Sequence, residues 1–326
     1  MNAIISLLSA AITRGAPLLF GTTGEILNEK SGSLNLGVEG IMAVGAIGGF
    51  LMSCWTGSLF LGVLFGFICG ALCGLLFAFL TITMKANQNV TGLAMTIFGV
   101  GVCRFIGQNM KTNGTFPIMD SALNAKYAEN GIPLLKEIPV IGPLLFSHNI
   151  LVYIGVAVAV LVWVYMSKTK AGLKMRAIGE NPASADSVGV NVDLYKYVNI
   201  SLGGGIMGIG GVYMGVIINN GTWNDDWIGG YGWIAVALVI FANWSAVKAL
   251  LGSFIFGLLL ALQSKVGVLA TEFPKLLGWT ANIPAQFYMA LPFILTAVVL
   301  VLNSAFRKKG GNAPSAMGIN YYREDR

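Results

Sequence analysis

Charge is what this chain has least of. Of its 326 residues only 10% are Asp, Glu, Lys or Arg, and there is one histidine, His148. So few charges beside 56% apolar residues and a mean hydropathy of +0.74 exclude a water-soluble domain. Catalytic signatures are missing too. There is no GxxxxGK phosphate loop, no HExxH, no GxSxG and no paired histidines, so neither ATP hydrolysis by this chain nor intramembrane hydrolysis is expected. Regularly spaced arginines and a TVGYG-type filter are also absent, which excludes a voltage sensor and a potassium-type pore. The four cysteines, Cys54, Cys69, Cys73 and Cys103, form no CxxC pair and have no histidine nearby, so they read as small packing residues rather than zinc ligands or disulfides. No metal, cofactor or nucleic-acid partner is expected. The opening MNAIISLLSAAITRGAPLLF lacks the basic n-region of a cleavable signal and reads as the first membrane segment.

What the chain has is long apolar runs. They fall at roughly 3–27, 34–53, 58–83, 89–108, 147–167, 197–218, 231–246, 248–268 and 284–304, and most approach the ~20 residues that cross a bilayer core. The expected fold is all-α: a polytopic membrane helical bundle of about eight to ten transmembrane helices, with nine as the working count. The first run, broken by Arg14 and Pro17, and the short seventh are the kind that are broken or tilted where protein or water satisfies the backbone. One transmembrane domain, 1–306, is expected, followed by a basic tail, 307–326.

Orientation follows from the basic residues, which collect on the cytoplasmic side. Lys168, Lys170, Lys174, Arg176 and Lys196 lie in one polar segment, and Arg307, Lys308, Lys309, Arg323 and Arg326 in the tail. Four spans separate the two, so both are placed in the cytoplasm. Lys30, Lys85 and Lys248 then fall in cytoplasmic turns, while the loop 109–146 and the acidic loop Asn219 to Gly230 fall outside, as does the N-terminus.

Glycine, 43 residues, is ordered within the runs. Gly62, Gly66, Gly70 and Gly74 recur every fourth residue, a stripe that lets another backbone approach closely, and Gly204 with Gly208 and Gly211 with Gly215 repeat the device. Polar residues inside the runs are the candidates for a solute path, because they are costly in hydrocarbon. Glu39, flanked by Gly37 and Gly40, either lines such a path with Asn35 or pins a helix break by accepting backbone N–H bonds. Asn87, Gln88, Thr91 and Thr96 open the fourth run. Trp223, Trp227, Tyr231 and Trp233 gather near Asp225 and Asp226, as an interfacial aromatic belt or as part of a path. Asn243 reads as an internal gate or a helix cap, and His148 as a surface residue.

The polar island, KTKAGLKMRAIGENPASADSVGVNVDLYK from Lys168 to Lys196, carries helix punctuation. Asn181 suits an N-cap, Pro182 the first helical position and Gly189 the left-handed stop, which predicts a helix of about two turns on the cytoplasmic face. The basic residues before it suit anionic lipid headgroups. Taken alone, these residues describe a solute pathway without its own motor, which leaves a stand-alone facilitator or an ion-coupled carrier open beside a pathway driven by a partner.

Four stretches resemble the permease subunits of ATP-binding cassette (ABC) importers for nucleosides and simple sugars, relatives of the branched-chain amino-acid permeases. They are SGSLNLGVEGIMAVGA from Ser31, NQNVTG from Asn87, RAIGENPASADSVGV from Arg176 and GYGWIAVALVIFANW from Gly230. The resemblance implies a permease in a bacterial cytoplasmic membrane, C-terminus inside, paired with a second and related permease subunit. It implies cytoplasmic ATPases that grip Gly179, Glu180, Asn181, Pro182, Ala185 and Gly189, and an external lipoprotein or periplasmic receptor that delivers a small polar solute. Nucleosides are the expected solutes, with ribose-like sugars or branched-chain amino acids as alternatives.

Overall fold

A computed structural model describes residues 2–110, 118–120, 131, 135–306 and 313–325. Much of the expected outer loop, together with Arg307, Lys308, Lys309 and Arg326, lies outside the described residues. The described chain is a helical bundle in which seven helices are long and apolar enough to cross a membrane. The long elements are α1 (Asn2–Lys30), α2 (Val38–Thr56), α3 (Leu59–Ala78, prolonged by a π turn, Phe79–Thr83), α4 (Gln88–Asn109) and α5 (Ile150–Lys168). Two short helices, α6 (Lys170–Glu180) and α7 (Pro182–Ser187), lead into α8 (Val192–Tyr213), which continues as a π turn, Met214–Ile218. After it come α9 (Tyr231–Phe241), α10 (Ala246–Glu272), the single turn α11 (Pro274–Leu277) and α12 (Ala285–Phe306).

The nine apolar runs each hold a helix, but the seventh is half length. At 11 residues, α9 spans about 16 Å, half of a hydrocarbon core. The bundle has two ends. At one, Lys30 of α1, Gly179 of α6, the start of α4 and residues 313–325 meet; at the other, the Ala3 amide of α1 donates to Glu272 at the end of α10 (2.8 Å) and Gly107 of α4 abuts Trp223. That alternation is the one the basic residues predict.

The glycine stripe of α3 is the packing seam. A Cβ on Gly70 would stand 2.3 Å from the Gly204 carbonyl oxygen, and one on Gly74 would stand 2.7 Å from that of Ile200. Backbones of α3 and α8 therefore touch where side chains are missing, as small-xxx-small seams do. The opposite side of α3 presents Phe60, Leu64, Ile68, Leu72 and Phe79 outward, the surface hydrocarbon requires. Around the seam, α1, α2 and α8 form the centre, where Phe20, Ile41, Met42, Phe50 and Met207 are fully buried.

Two expectations need correcting. Trp223 and Trp227 do not form an interfacial belt: the chain after α8 folds back into the bundle, and both rings are buried against Phe50 of α2 (Trp227 to Phe50 4.9 Å between centroids, Trp223 to Trp227 4.5 Å). His148 is not a surface residue but 4% exposed, its Nε2 2.7 Å from the Leu144 carbonyl oxygen and its Nδ1 3.4 Å from Thr13 Oγ1. The loop before α5 packs onto α1 and carries the ring inward.

Candidate functional site: buried irregular backbone and a capped surface helix

Two irregular stretches lie inside the bundle, and nearly every polar residue singled out in the sequence serves one of them. The first is 31–37, between α1 and α2. Non-helical backbone buried away from water, as here with Ser31, Ser33 and Asn35, must find partners in protein. The Asn35 amide donates to Glu25 Oε1 (3.0 Å), the Leu34 amide to Gln88 Oε1 (2.8 Å) and the Gly37 amide to Asn35 Oδ1 (2.9 Å), while the Leu36 carbonyl accepts from Thr96 Oγ1 (3.0 Å). Asn87 caps α4 by accepting from the Val90 amide (3.1 Å), and Thr91 Oγ1 returns to the Asn87 carbonyl (2.8 Å).

The second is the approach to α9. Gly229 and Gly230 have φ of 56° and 88°, left-handed values that favour glycine, and they turn the chain into the half-helix. Glu39 receives its first amides: the Gly230 N–H donates to Oε1 (2.8 Å) and the Gly232 N–H to Oε2 (2.7 Å). A carboxylate at a helix N-terminus satisfies orphan donors and meets the positive end of the dipole. Gly232 is bare because a Cβ there would stand 2.4 Å from the Glu39 nitrogen. On the neighbouring residue, a Cβ on Gly40 would lie 2.7 Å from Thr96 Cα. The first turn of α2 is thus held between α4 and α9, with Thr96 on one side and Trp233, 38% exposed, following Gly232 on the other. At its far end α9 stops where Asn243 and Trp244 both turn left-handed (φ 53° and 55°), and the Trp244 indole N–H donates to Glu29.

Glu25, Asn28 and Glu29 are the residues that sequence reasoning missed. Glu25 falls in the tail of the first apolar run and Asn28 and Glu29 just beyond it, yet GTTGEILNEK puts two acids and an amide at i, i+3 and i+4, one face of a helix. All three are buried, Glu25 also holding the Asn28 amide (2.9 Å). Among the described residues no group of three or more His, Cys, Asp or Glu is placed to hold a metal.

The polar island folds as two helices rather than a loop with one. α6 buries Gly172, Met175, Ile178 and Gly179 and exposes Lys170, Lys174 and Arg176. Gly179 must be bare, because a Cβ would stand 2.3 Å from the Lys30 carbonyl oxygen. Asn181 then caps α7 as the spacing predicts, accepting from the Ser184 amide (3.0 Å); Pro182 opens the helix and Gly189, at φ 82°, follows it. Ala185 faces inward at 3% exposure, packed with Ile178, Val190 and Val192. What α7 and the following turn show outward is Ser184, Ser187 and Val188, the valine 78% exposed. Glu180 is exposed and accepts from the Ser315 hydroxyl (3.1 Å).

Membrane-length helices packed around two buried irregular stretches, with a capped helix displayed at one end, describe a polytopic membrane protein. The chain belongs to the family of permease components of branched-chain amino acid transport systems, which it matches over residues 7–302. It is 32% identical to the nucleoside ABC transporter permease protein NupC of Lactococcus lactis over 98% of both chains. The guanosine ABC transporter permease protein NupQ of Bacillus subtilis is 30% identical over 97% of this chain and 96% of its own. The Haloferax volcanii protein TsgC13, provisionally named a glucose ABC transporter permease, is 36% identical over 81% of this chain and 78% of its own. The chain is accordingly an ABC transporter permease component.

Proposed function

We propose that this permease forms the solute passage of an importer for nucleosides, driven by ATP hydrolysis on separate subunits that dock on α7 from the cytoplasm. The observation that carries the solute class is the alignment with NupC over 98% of both chains, since a shared passage requires shared helices from end to end. Paired with a second permease subunit, the chain receives its solute from a binding protein at the opposite face. Thr96 and Trp233 flank the first turn of α2 and supply a hydroxyl and an exposed indole, groups suited to a ribose and a base. Asn35, Glu39, Asn87, Gln88, Thr91 and Asn243 shape the passage by holding the irregular backbone beside it. The docking surface is the exposed side of α7 with Val188, behind which Gly179, Asn181, Pro182, Ala185 and Gly189 fix the pose.

The test is uptake of labelled guanosine by the reconstituted complex in competition with other nucleosides, ribose and glucose. Competition by purine nucleosides and none by the sugars supports the assignment. Competition by sugars alone moves it to the sugar class, the second reading, which the 36% identity to TsgC13 favours.

A further inference from the structure

Residues 313–325 do not trail from the bundle but bind across its α7 end. Asn320 donates to the carbonyls of Lys85 (2.7 Å) and Ala86 (3.1 Å) and accepts from Gln88 (3.1 Å), while Lys85 Nζ donates to the Tyr321 carbonyl (2.9 Å). The same segment reaches the polar island: the Ala316 amide donates to the Gly179 carbonyl (3.0 Å), and Ser315 contacts Glu180. Its firmest hold is Asp186 of α7. That carboxylate, on a residue 9% exposed, accepts the Tyr321 hydroxyl (2.7 Å) and two guanidinium N–H groups of Arg323 (3.2 Å each). Tyr321 also packs against Ile178, Ala185, Val190 and Val192, the small cluster beneath α7.

A six-residue helix has no stability of its own, so its pose depends on what it rests on. Here it rests on one side on α6 and α8 and on the other on a segment anchored at the α3–α4 turn. Between them lies a groove of about 430 Å³ walled by Lys85, Asp186, the turn Gly189 to Asp193, Tyr321 and Arg323. We infer that residues 313–325 form a strap that holds α7 in its docking pose and makes the second wall of the groove that seats the ATPase subunit. This rests on reading α7 as the docking element. The strap side carries Arg323, its side chain 76% open, and Lys85, while Asp186 and Asp193 line the same groove, so it offers charges of both signs to a complementary polar margin on the ATPase, with the exposed Val188 as the apolar contact. Tyr321, Arg323 and Asp186 are positioning residues.

The experiment uses the permease co-expressed with its ATPase and partner permease, reconstituted, with solute moved per ATP hydrolysed as the readout. Removal of residues 313–326, and separately the pair Tyr321→Phe and Arg323→Ala, should lower that ratio about tenfold, the scale of losing charge-assisted hydrogen bonds, while the bundle keeps its melting temperature. Arg323→Lys, which keeps the charge without the fork, should recover part of the loss. Val188→Asp tests the docking reading itself by capture of the ATPase on the permease. If Val188→Asp abolishes capture while the strap variants keep their ratio within about twofold, the strap is overturned and α7 docking stands. If Val188→Asp leaves capture and transport unchanged, the docking reading falls and takes the strap with it.

Discussion

Glu39 separates a residue that touches solute from one that builds the passage, and the geometry gives the two roles opposite signatures. Its oxygens accept the Gly230 and Gly232 amides at 2.8 and 2.7 Å, and the residue is 6% exposed. Glu39→Gln keeps one acceptor and turns an NH₂ towards the other amide, leaving one buried donor unmet at a cost of about 1–3 kcal/mol. Glu39→Ala leaves both amides unmet and empties the space, for roughly 2–5 kcal/mol. Glu39→Asp, one methylene shorter, cannot span both amides and should fall near the glutamine variant. Thermal unfolding in nanodiscs should therefore rank wild type above Gln and Asp, and these above Ala. Gly232→Ala should behave like the severe variant, since its Cβ would stand 2.4 Å from the Glu39 nitrogen. Transport should fall in the same order through the maximum rate, with the half-saturating solute concentration little changed. A Gln variant as stable as wild type but with a sharply raised half-saturating concentration would refute the reasoning and put Glu39 on the solute.

The α3–α8 seam predicts that Gly70→Ala, with its Cβ 2.3 Å from the Gly204 carbonyl oxygen, reduces folded yield and stability by more than about 2 kcal/mol. Gly101→Ala on α4 meets nothing within 4 Å and should be neutral or stabilising by up to about 1 kcal/mol; equal melting temperatures for the two variants would argue against a packed seam. Burial depresses the pKa of His148, so the unfolded chain takes up its proton first as pH falls. Its contribution to stability is whole above about 6.5 and declines below that value through the lower folded pKa. His148→Gln should remove that part of the pH slope, and an unchanged slope between pH 7 and 5 would show that the ring is not held neutral. Trp233→Ala should raise the half-saturating nucleoside concentration by about fivefold to 150-fold, the scale of about 1–3 kcal/mol for stacking a base on an aromatic ring, with stability unchanged; equal uptake curves would remove the indole from the passage.

The elements were legible where physics is local. Span lengths, the every-fourth-glycine stripe and the Asn181, Pro182 and Gly189 punctuation are written in neighbouring residues, and each is found where its spacing puts it. The structural reading of Glu39 was legible as one of two alternatives, because a carboxylate between glycines suits a bend; which bend it holds was not, since Gly230 lies 191 residues away. The inward turn of Trp223 and Trp227 was hidden for a related reason. An aromatic, acidic loop between two apolar runs has one composition whether it lies in the interface or folds back over α2, and only contact with Phe50 and Gly107 distinguishes them. Ala185 illustrates the limit on short helices: two turns carry no periodicity long enough to say which side is buried, and the outward side proves to be Ser184 and Ser187 with the following Val188. The role of residues 313–325 left no local trace, because Asp186 and Arg323 are 137 residues apart.

The half-helix α9 is held at both ends by acids from elsewhere in the bundle, Glu39 at its start and Glu29 at Trp244 beyond its end. Glu29 stands one residue before Lys30, whose carbonyl oxygen is the surface Gly179 of α6 rests against. A contiguous run of contacts therefore joins α6, the end of α1, the end of α9 and, through α9, the first turn of α2 beside Thr96. Adjacency alone is not coupling, which requires that the two ends of α9 respond together. Trp244→Phe removes the indole donor and leaves the buried Glu29 carboxylate short of a partner, at a cost of about 1.5–3 kcal/mol. The two ends of α9 are about 16 Å apart, far enough that independent lesions should add to within ~0.5 kcal/mol. If α9 is a rigid strut clamped twice, freeing one end releases most of the constraint, and Glu39→Gln with Trp244→Phe should cost less than the sum of the singles by more than ~0.5 kcal/mol. Simple additivity would mean that the two acids close two separate backbone breaks and that α9 does not link its two ends.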